Sequence, residues 1–205
     1  MVVYSEIVQI SSTYVYNLFN KQNSDPALYH NYNHTVEVVN HADEIAKGMK
    51  LTAEEYDIVL IAALFHDTGY LQTREDHEEL SAAIASQFLN EQHYADENIK
   101  KVVGCIKATK VPQQPTSVLE QVICDADLLN LGKEDCIEKG EILHKEIEHA
   151  IGKNIPEKDW LKQSIVFFRE HSYHTEYVKQ KYNKRKEDNL KKLEEQLYLL
   201  EMKKR

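Results

Sequence analysis

A chain of 205 residues is long enough for a core of its own, and a net charge of −9 is the wrong sign for a general nucleic-acid binder. Glycine (6) and proline (4) are scarce against 42% hydrophobic residues, which excludes a turn-rich β protein and favours long helices. No apolar run reaches the length of a membrane span. Met1-Val2-Val3-Tyr4-Ser5-Glu6 lacks the basic region and apolar core of a signal peptide, so a cytoplasmic protein with no membrane partner is expected.

Taken in order, Val3, Ile7, Ile10, Tyr14 and Leu18 recur at spacings of three and four and predict an amphipathic helix over residues 2–22, broken by Lys21-Gln22-Asn23-Ser24-Asp25-Pro26. A second helix is predicted from about Tyr32 to Met49 on the stripe Val38, Ala42, Ile45 and Met49. His34 lies one turn before Val38 on that stripe and therefore points inward, while His41 lies near it as a partly covered histidine without a role. The segment Tyr29-His30-Asn31-Tyr32-Asn33 is polar and aromatic and suits the mouth of a cleft.

Thr52-Ala53-Glu54-Glu55 has the form of a capping box and opens a run, Ile58 to Phe65, with no polar face. A helix apolar all round is a buried one, so this is expected to be the central helix of the domain. It runs into His66-Asp67, two polar side chains that need partners if buried, with Gly69 placed to cap the helix. A loop over 71–75 follows, and Asp76 with Glu79 three residues on reads as the start of a helix carrying Leu80, Ala83, Ile84 and Phe88. Ile99, Val102, Val103 and Ile106 predict a helix from Asp96 to about Lys110, stopped by Pro112 and Pro115.

Ser117-Val118-Leu119-Glu120 is a second capping box, and its helix carries two acids in an apolar stretch. Asp125 aligns with Val118 and Val122, Asp127 with Leu119 and Ile123, and periodicity does not choose between them. A charged helix over 133–149 is expected next, then one with Pro156 in its first turn carrying Trp160, Leu161, Ile165 and Phe168. From about Thr175 to Arg205 the chain is highly charged, with Leu190, Leu193, Leu197 and Leu200 at heptad-like spacing. That helix could pack back on the domain, pair with a second copy as a homodimer, or stand solvated. Cys105, Cys124 and Cys136, an odd count without C-x-x-C spacing, read as reduced core thiols.

The order His34 … His66-Asp67 … Asp127, each on or at the end of a different helix, resembles the HD-domain superfamily of metal-dependent phosphohydrolases. The approach to His34, the segment His77-Glu78-Glu79-Leu80-Ser81-Ala82 and Asp125-Ala126-Asp127-Leu128 carry the same resemblance over residues 28–131. So does Phe168-Arg169-Glu170-His171-Ser172-Tyr173-His174-Thr175, which is similar to a bacterial subset of predicted phosphohydrolases. The resemblance implies an all-α fold: a single compact multi-helix domain over 1–150 that holds the metal, with a C-terminal helical extension over 151–205. In the family motif the ligand follows alanine, which selects Asp127 over Asp125.

What the resemblance further implies is one divalent metal ion (Mn, Fe, Co, Ni, Zn or Mg) on His34, His66, Asp67 and Asp127, with open positions for water. A second, weaker metal would fall at Asp67 and His77. Asp67 would hold the metal and the nucleophilic water, and His77, with Glu78 or His30 as alternatives, would protonate the leaving oxygen. His30, Arg74, Lys107 and Lys110 are the candidates for binding substrate, since an acidic protein needs local cations to hold a phosphate. The expected partner is a small phosphorylated molecule, in the first place a nucleotide. Thr68-Gly69-Tyr70-Leu71 departs from the acidic pair H-D-x-x-E-D of the guanosine-tetraphosphate hydrolases, and Ala108-Thr109-Lys110 stands where two-metal members carry paired histidines. The alternative reading is a non-catalytic sensor module that binds metal or nucleotide.

Overall fold

The computed structural model describes residues 4–21 and 28–202; the predicted break over 22–26, and Val3, fall outside them. Among these residues there is no β-strand, as an all-α fold requires. Residues 4–21 and 30–127 form one compact unit, and 28–29 with 128–202 form another. That division falls earlier than the expected 150/151 boundary, because helix α7 (Cys136–Ile151) packs with the elements that follow Asp127.

The first unit is built from α1 (Glu6–Lys21), α2 (Tyr32–Met49), α3 (Ala53–Phe65), a 3-10 turn (Thr68–Leu71), α4 (His77–Glu91), α5 (Asp96–Ala108) and α6 (Val118–Asp127). Helix α3 is its axis: every residue from Ile58 to Phe65 is buried, with α1, α2, α5 and α6 around it. At about 1.5–3 kcal/mol for each large apolar side chain withdrawn from water, this helix contributes more than its length suggests. Its start is the expected capping box, in which the Glu55 N–H donates to Thr52 Oγ1 (3.3 Å) and the Thr52 N–H to Glu55 Oε2 (2.9 Å). The box at α6 also forms, the Glu120 N–H donating to Ser117 Oγ (3.2 Å).

One local expectation differs, and another holds without the bond a cap usually makes. Gly69 does not cap α3; the helix ends at Phe65 and Gly69 lies in the following 3-10 turn. Asp76 precedes α4 but makes no capping bond, because it stands in the left-handed region (φ 51°) and its carboxylate pairs with Lys110. A short polar residue tolerates that conformation better than most.

The second unit contains a 3-10 turn (Leu129–Gly132), α7, α8 (Glu157–Glu170) and α9 (Glu176–Met202). Its core joins Leu131, Cys136, Leu161, Ile165, Phe168 and Leu193, with Leu190, Leu197 and Leu200 packed against it. The heptad-spaced leucines of α9 therefore turn into their own unit, and the exposed apolar residues at its end are Tyr198, Leu199 and Met202. Asn189 donates to the carbonyls of Leu131 (2.9 Å) and Lys133 (2.8 Å), fixing α9 against the 3-10 turn. No helix among the described residues is long and apolar enough to cross a membrane. The three cysteines are buried and unpaired, and burial pushes the Cys105 and Cys136 thiols up to about 12, which keeps them protonated and inert.

Candidate metal centre

Three elements of the first unit deliver the donors. Asn31 caps α2, its side-chain oxygen accepting from the N–H groups of Asn33 (2.8 Å) and His34 (3.2 Å), which sets His34 in the first turn. His66 and Asp67 follow the last turn of α3, and Asp127 is the last residue of α6. His34, His66 and Asp127 offer one ligand atom each within 4.8 Å of one another and form a candidate metal site.

His34 Nε2 lies 3.4 Å from His66 Nε2 and 3.4 Å from Asp127 Oδ1, and His66 Nε2 lies 3.5 Å from Asp127 Oδ1. Asp67 Oδ2 stands against the two rings, 3.2 Å from His66 Nε2 and 3.5 Å from His34 Nε2. Donors about 2.0–2.2 Å from a tetrahedral ion would stand roughly 3.4 Å apart, so this spacing suits a small divalent cation. Asp67 Oδ2 is buried and accepts no hydrogen bond, an expense that a cation would relieve. The His66 Nδ1–H donates to the Ala63 carbonyl (2.9 Å), which turns Nε2 toward the other donors. Two imidazoles and the Asp127 carboxylate therefore fit a divalent metal on the chemistry and the placement of their atoms, with Asp67 beside them.

Without a cation the same groups hold a proton. Burial disfavours charge on His66, but Asp67 and Asp127 outweigh it and raise its pKa well above the usual 6.5. Burial also opposes ionisation of Asp67 and Asp127, and the facing imidazoles outweigh it, chiefly His66 for Asp67 and His34 for Asp127, holding both carboxyls below the usual carboxylate range. Attraction of this kind stabilises the fold only while the ring is charged. Chelator-treated protein is therefore expected to lose thermal stability as pH rises from about 6.5 through the raised His66 pKa. The carboxylates give the opposite limb, present above about 3.8 and lost as pH falls through their depressed pKa values. Added metal should reverse the alkaline limb, because it competes with the His66 proton. Melting temperature against pH, with and without chelator, reads this directly, and a flat alkaline limb in both would refute it.

Around the donors, His77 begins α4 with its Nδ1–H donating to the Arg74 carbonyl (3.0 Å) and its Nε2 3.4 Å from Asp67 Oδ1. The half-buried His30 ring stands edge-on to His34, 5.7 Å between centroids. Lys107 pairs with Glu79 (2.6 Å) and Lys110 with Asp76, so both cations sit against the first turn of α4, beside His77. Arg74 is exposed and contributes its carbonyl to His77. Asp125 is fully buried on α6 and lies outside the metal cluster. His41 has a role that its half-covered position did not announce: its Nδ1–H donates to the Ala126 carbonyl (3.0 Å) and tethers α6 one residue before Asp127. Glu78, an expected alternative to His77 as proton donor, is buried beside it with Oε2 3.6 Å from His77 Nδ1.

The HD domain family profile matches residues 31–132, a stretch that contains the whole donor set. A solved structure described as a predicted HD superfamily hydrolase, from an uncultured Thermotogales bacterium, is 25% identical to this chain. The likeness covers 95% of this chain and 92% of that one, with a TM-score of 0.60. No curated protein matches. With profile, fold and the order of the donors in agreement, the chain belongs to the HD-domain superfamily.

Proposed function

We propose that the protein is a metal-dependent hydrolase, and specifically a phosphomonoesterase or phosphodiesterase acting on a nucleotide or similar small phosphoester. The observation that carries this reading is the convergence of two imidazoles and two carboxylates, one of them with an orphaned buried oxygen. His34, His66, Asp67 and Asp127 would hold one divalent cation; a second, weaker one at Asp67 and His77 would take the place of the proton on His77 Nε2. A cation held there supplies Lewis acidity toward a phosphoryl oxygen and lowers the pKa of water.

The chain's own residues account for the rest. Asp67 presents Oδ2 to the donor cluster and Oδ1 to His77, and so links water activation to proton delivery. The Arg74 carbonyl occupies His77 Nδ1–H, which leaves Nε2 as the atom that exchanges a proton. Burial disfavours the charged ring, but the Asp67 carboxylate outweighs it and raises the His77 pKa, keeping that proton available for a leaving oxygen. His30 and the cations Arg74, Lys107 and Lys110 would bind the phosphate. A cation balanced by two carboxylates has little charge left with which to attract an anion, so these side chains matter more than in a basic protein.

Lys110→Ala is expected to raise KM several-fold while lowering kcat less, with the difference shrinking as salt is added. A KM unchanged at low ionic strength would leave Lys110 as Asp76's partner alone. The pairing of Lys107 and Lys110 with acids favours a second reading, a non-catalytic sensor that holds metal without turnover. A homodimer through α9 would then use the exposed Tyr198, Leu199 and Met202. Metal-dependent release of nitrophenol from mono- and bis-nitrophenyl phosphate, followed by a nucleotide panel, separates the readings. No release with any divalent metal would sink the enzyme.

A further inference from the structure

Tyr70 stands between the two histidines at the edge of the candidate centre. Its ring is parallel to that of His30 (4.1 Å between centroids, 7° between planes) and packs against that of His77 (4.1 Å, 53°). The three rings come from different places: His30 from the segment before α2, Tyr70 from the 3-10 turn after Asp67, and His77 from the first position of α4. The tyrosine follows Asp67 by three residues, and its N–H donates to the Asp67 carbonyl (3.0 Å), so the ring is registered to the donor cluster itself. Stacked aromatic contacts of this kind add to the gain from burial and favour one rotamer of an imidazole.

We propose that Tyr70 is a positioning residue that holds His30 and His77 at a fixed separation on the substrate side of the donor cluster. It touches neither the donors His34, His66 and Asp127 in the ring contacts it makes nor, on this proposal, the reacting phosphate. Its ring sets where His77 Nε2 meets Asp67 Oδ1 and where His30 faces an incoming phosphoester. The proposal assigns this to the ring, which stacks on His30 and packs against His77. The proposal rests on the hydrolase reading for its kinetic consequence and on geometry alone for its structural one.

The test uses Tyr70→Phe and Tyr70→Leu in the full chain, with three readouts. Crystal structures of both variants report the rings: His30 and His77 should keep their places in Y70F and leave them, by an ångström or more or by a change of rotamer, in Y70L. Metal content by elemental analysis should be the same in both, since no donor is altered. For hydrolysis of bis-nitrophenyl phosphate, Y70F should stay within about threefold of the parent, while Y70L should lose roughly 10- to 100-fold in kcat, the cost that misplacing a proton donor carries. The Y70L loss should largely vanish in a His77→Gln background, because a residue that acts through His77 has nothing left to position. Rings unmoved in Y70L, a Y70F as impaired as Y70L, or a full Y70L loss in the H77Q background would each overturn the proposal. A parent protein without hydrolytic activity would overturn the proposed function instead, and the crystallographic arm would still decide the role of Tyr70.

Discussion

Replacing Asp67 with alanine is expected to lower divalent-metal affinity by about 100-fold or more, beyond the 10- to 100-fold typical of outer-shell partners, and to abolish hydrolysis. Two changes act together. The variant removes an oxygen 3.2 Å from His66 Nε2 and 3.5 Å from His34 Nε2, and it removes the counter-charge that His77 Nε2 meets at 3.4 Å. The helices should survive, because Asp67 lies in the connection after α3 and none of the core side chains of that helix is changed. Elemental analysis after dialysis, titration with Mn and Zn, and far-UV circular dichroism give the three readouts. Asp127→Ala should behave alike, whereas Asp125→Asn should retain the metal, since Asp125 stands outside the cluster. Wild-type affinity in Asp67→Ala would reduce the donor set to His34, His66 and Asp127.

The contrast between the two aspartates shows how far the sequence reaches. On α6 both fall in line with apolar positions, and periodicity left them equal. In the fold Asp125 is fully buried, while the Asp127 side chain keeps 16% of its surface exposed. Burial alone would have picked the wrong acid; what singles out Asp127 is its place at the helix end, opposite His34 and His66. The central helix was legible because an apolar run without a polar face has only one place to go, and the two capping boxes because their bonds are local. His41 and Tyr70 were not, since their partners are elsewhere in space: a carbonyl on α6 and a ring before α2. The α9 leucines gave the correct apolar face and left its partner open, and α8 turned out to be that partner. Asp76 marked the start of α4 correctly, though its carboxylate goes to a lysine just beyond α5 and makes no capping bond.

Gly69→Ala is expected to damage stability and site together, for one steric reason. The residue's backbone is not in the left-handed region, so a side chain is not forbidden by conformation. Space forbids it: a Cβ there would lie 2.1 Å from the His77 carbonyl oxygen and 3.0 Å from the Ser81 nitrogen, both backbone atoms of α4 that cannot swing aside. The same approach lets the Gly69 N–H donate to Ser81 Oγ (2.8 Å) in a buried bond. Accommodating a methyl group therefore means moving the start of α4 as a whole, and overpacking of this kind costs about 1–3 kcal/mol, occasionally more. At about 2–4 °C per kcal/mol for a chain of this size, calorimetry should show a fall in Tm of roughly 2–12 °C. Since His77 opens α4, the displacement also draws its Nε2 away from Asp67 Oδ1, and kcat should fall by more than any loss of folded protein explains. Ser81→Ala separates the parts: it deletes the hydrogen bond, costing about 1 kcal/mol, but keeps the close approach, so His77 should stay in place and kcat should hold. A Gly69→Ala protein with unchanged Tm and kcat would mean that the turn and α4 are not locked together, and that His77 is positioned by something other than the contact between them.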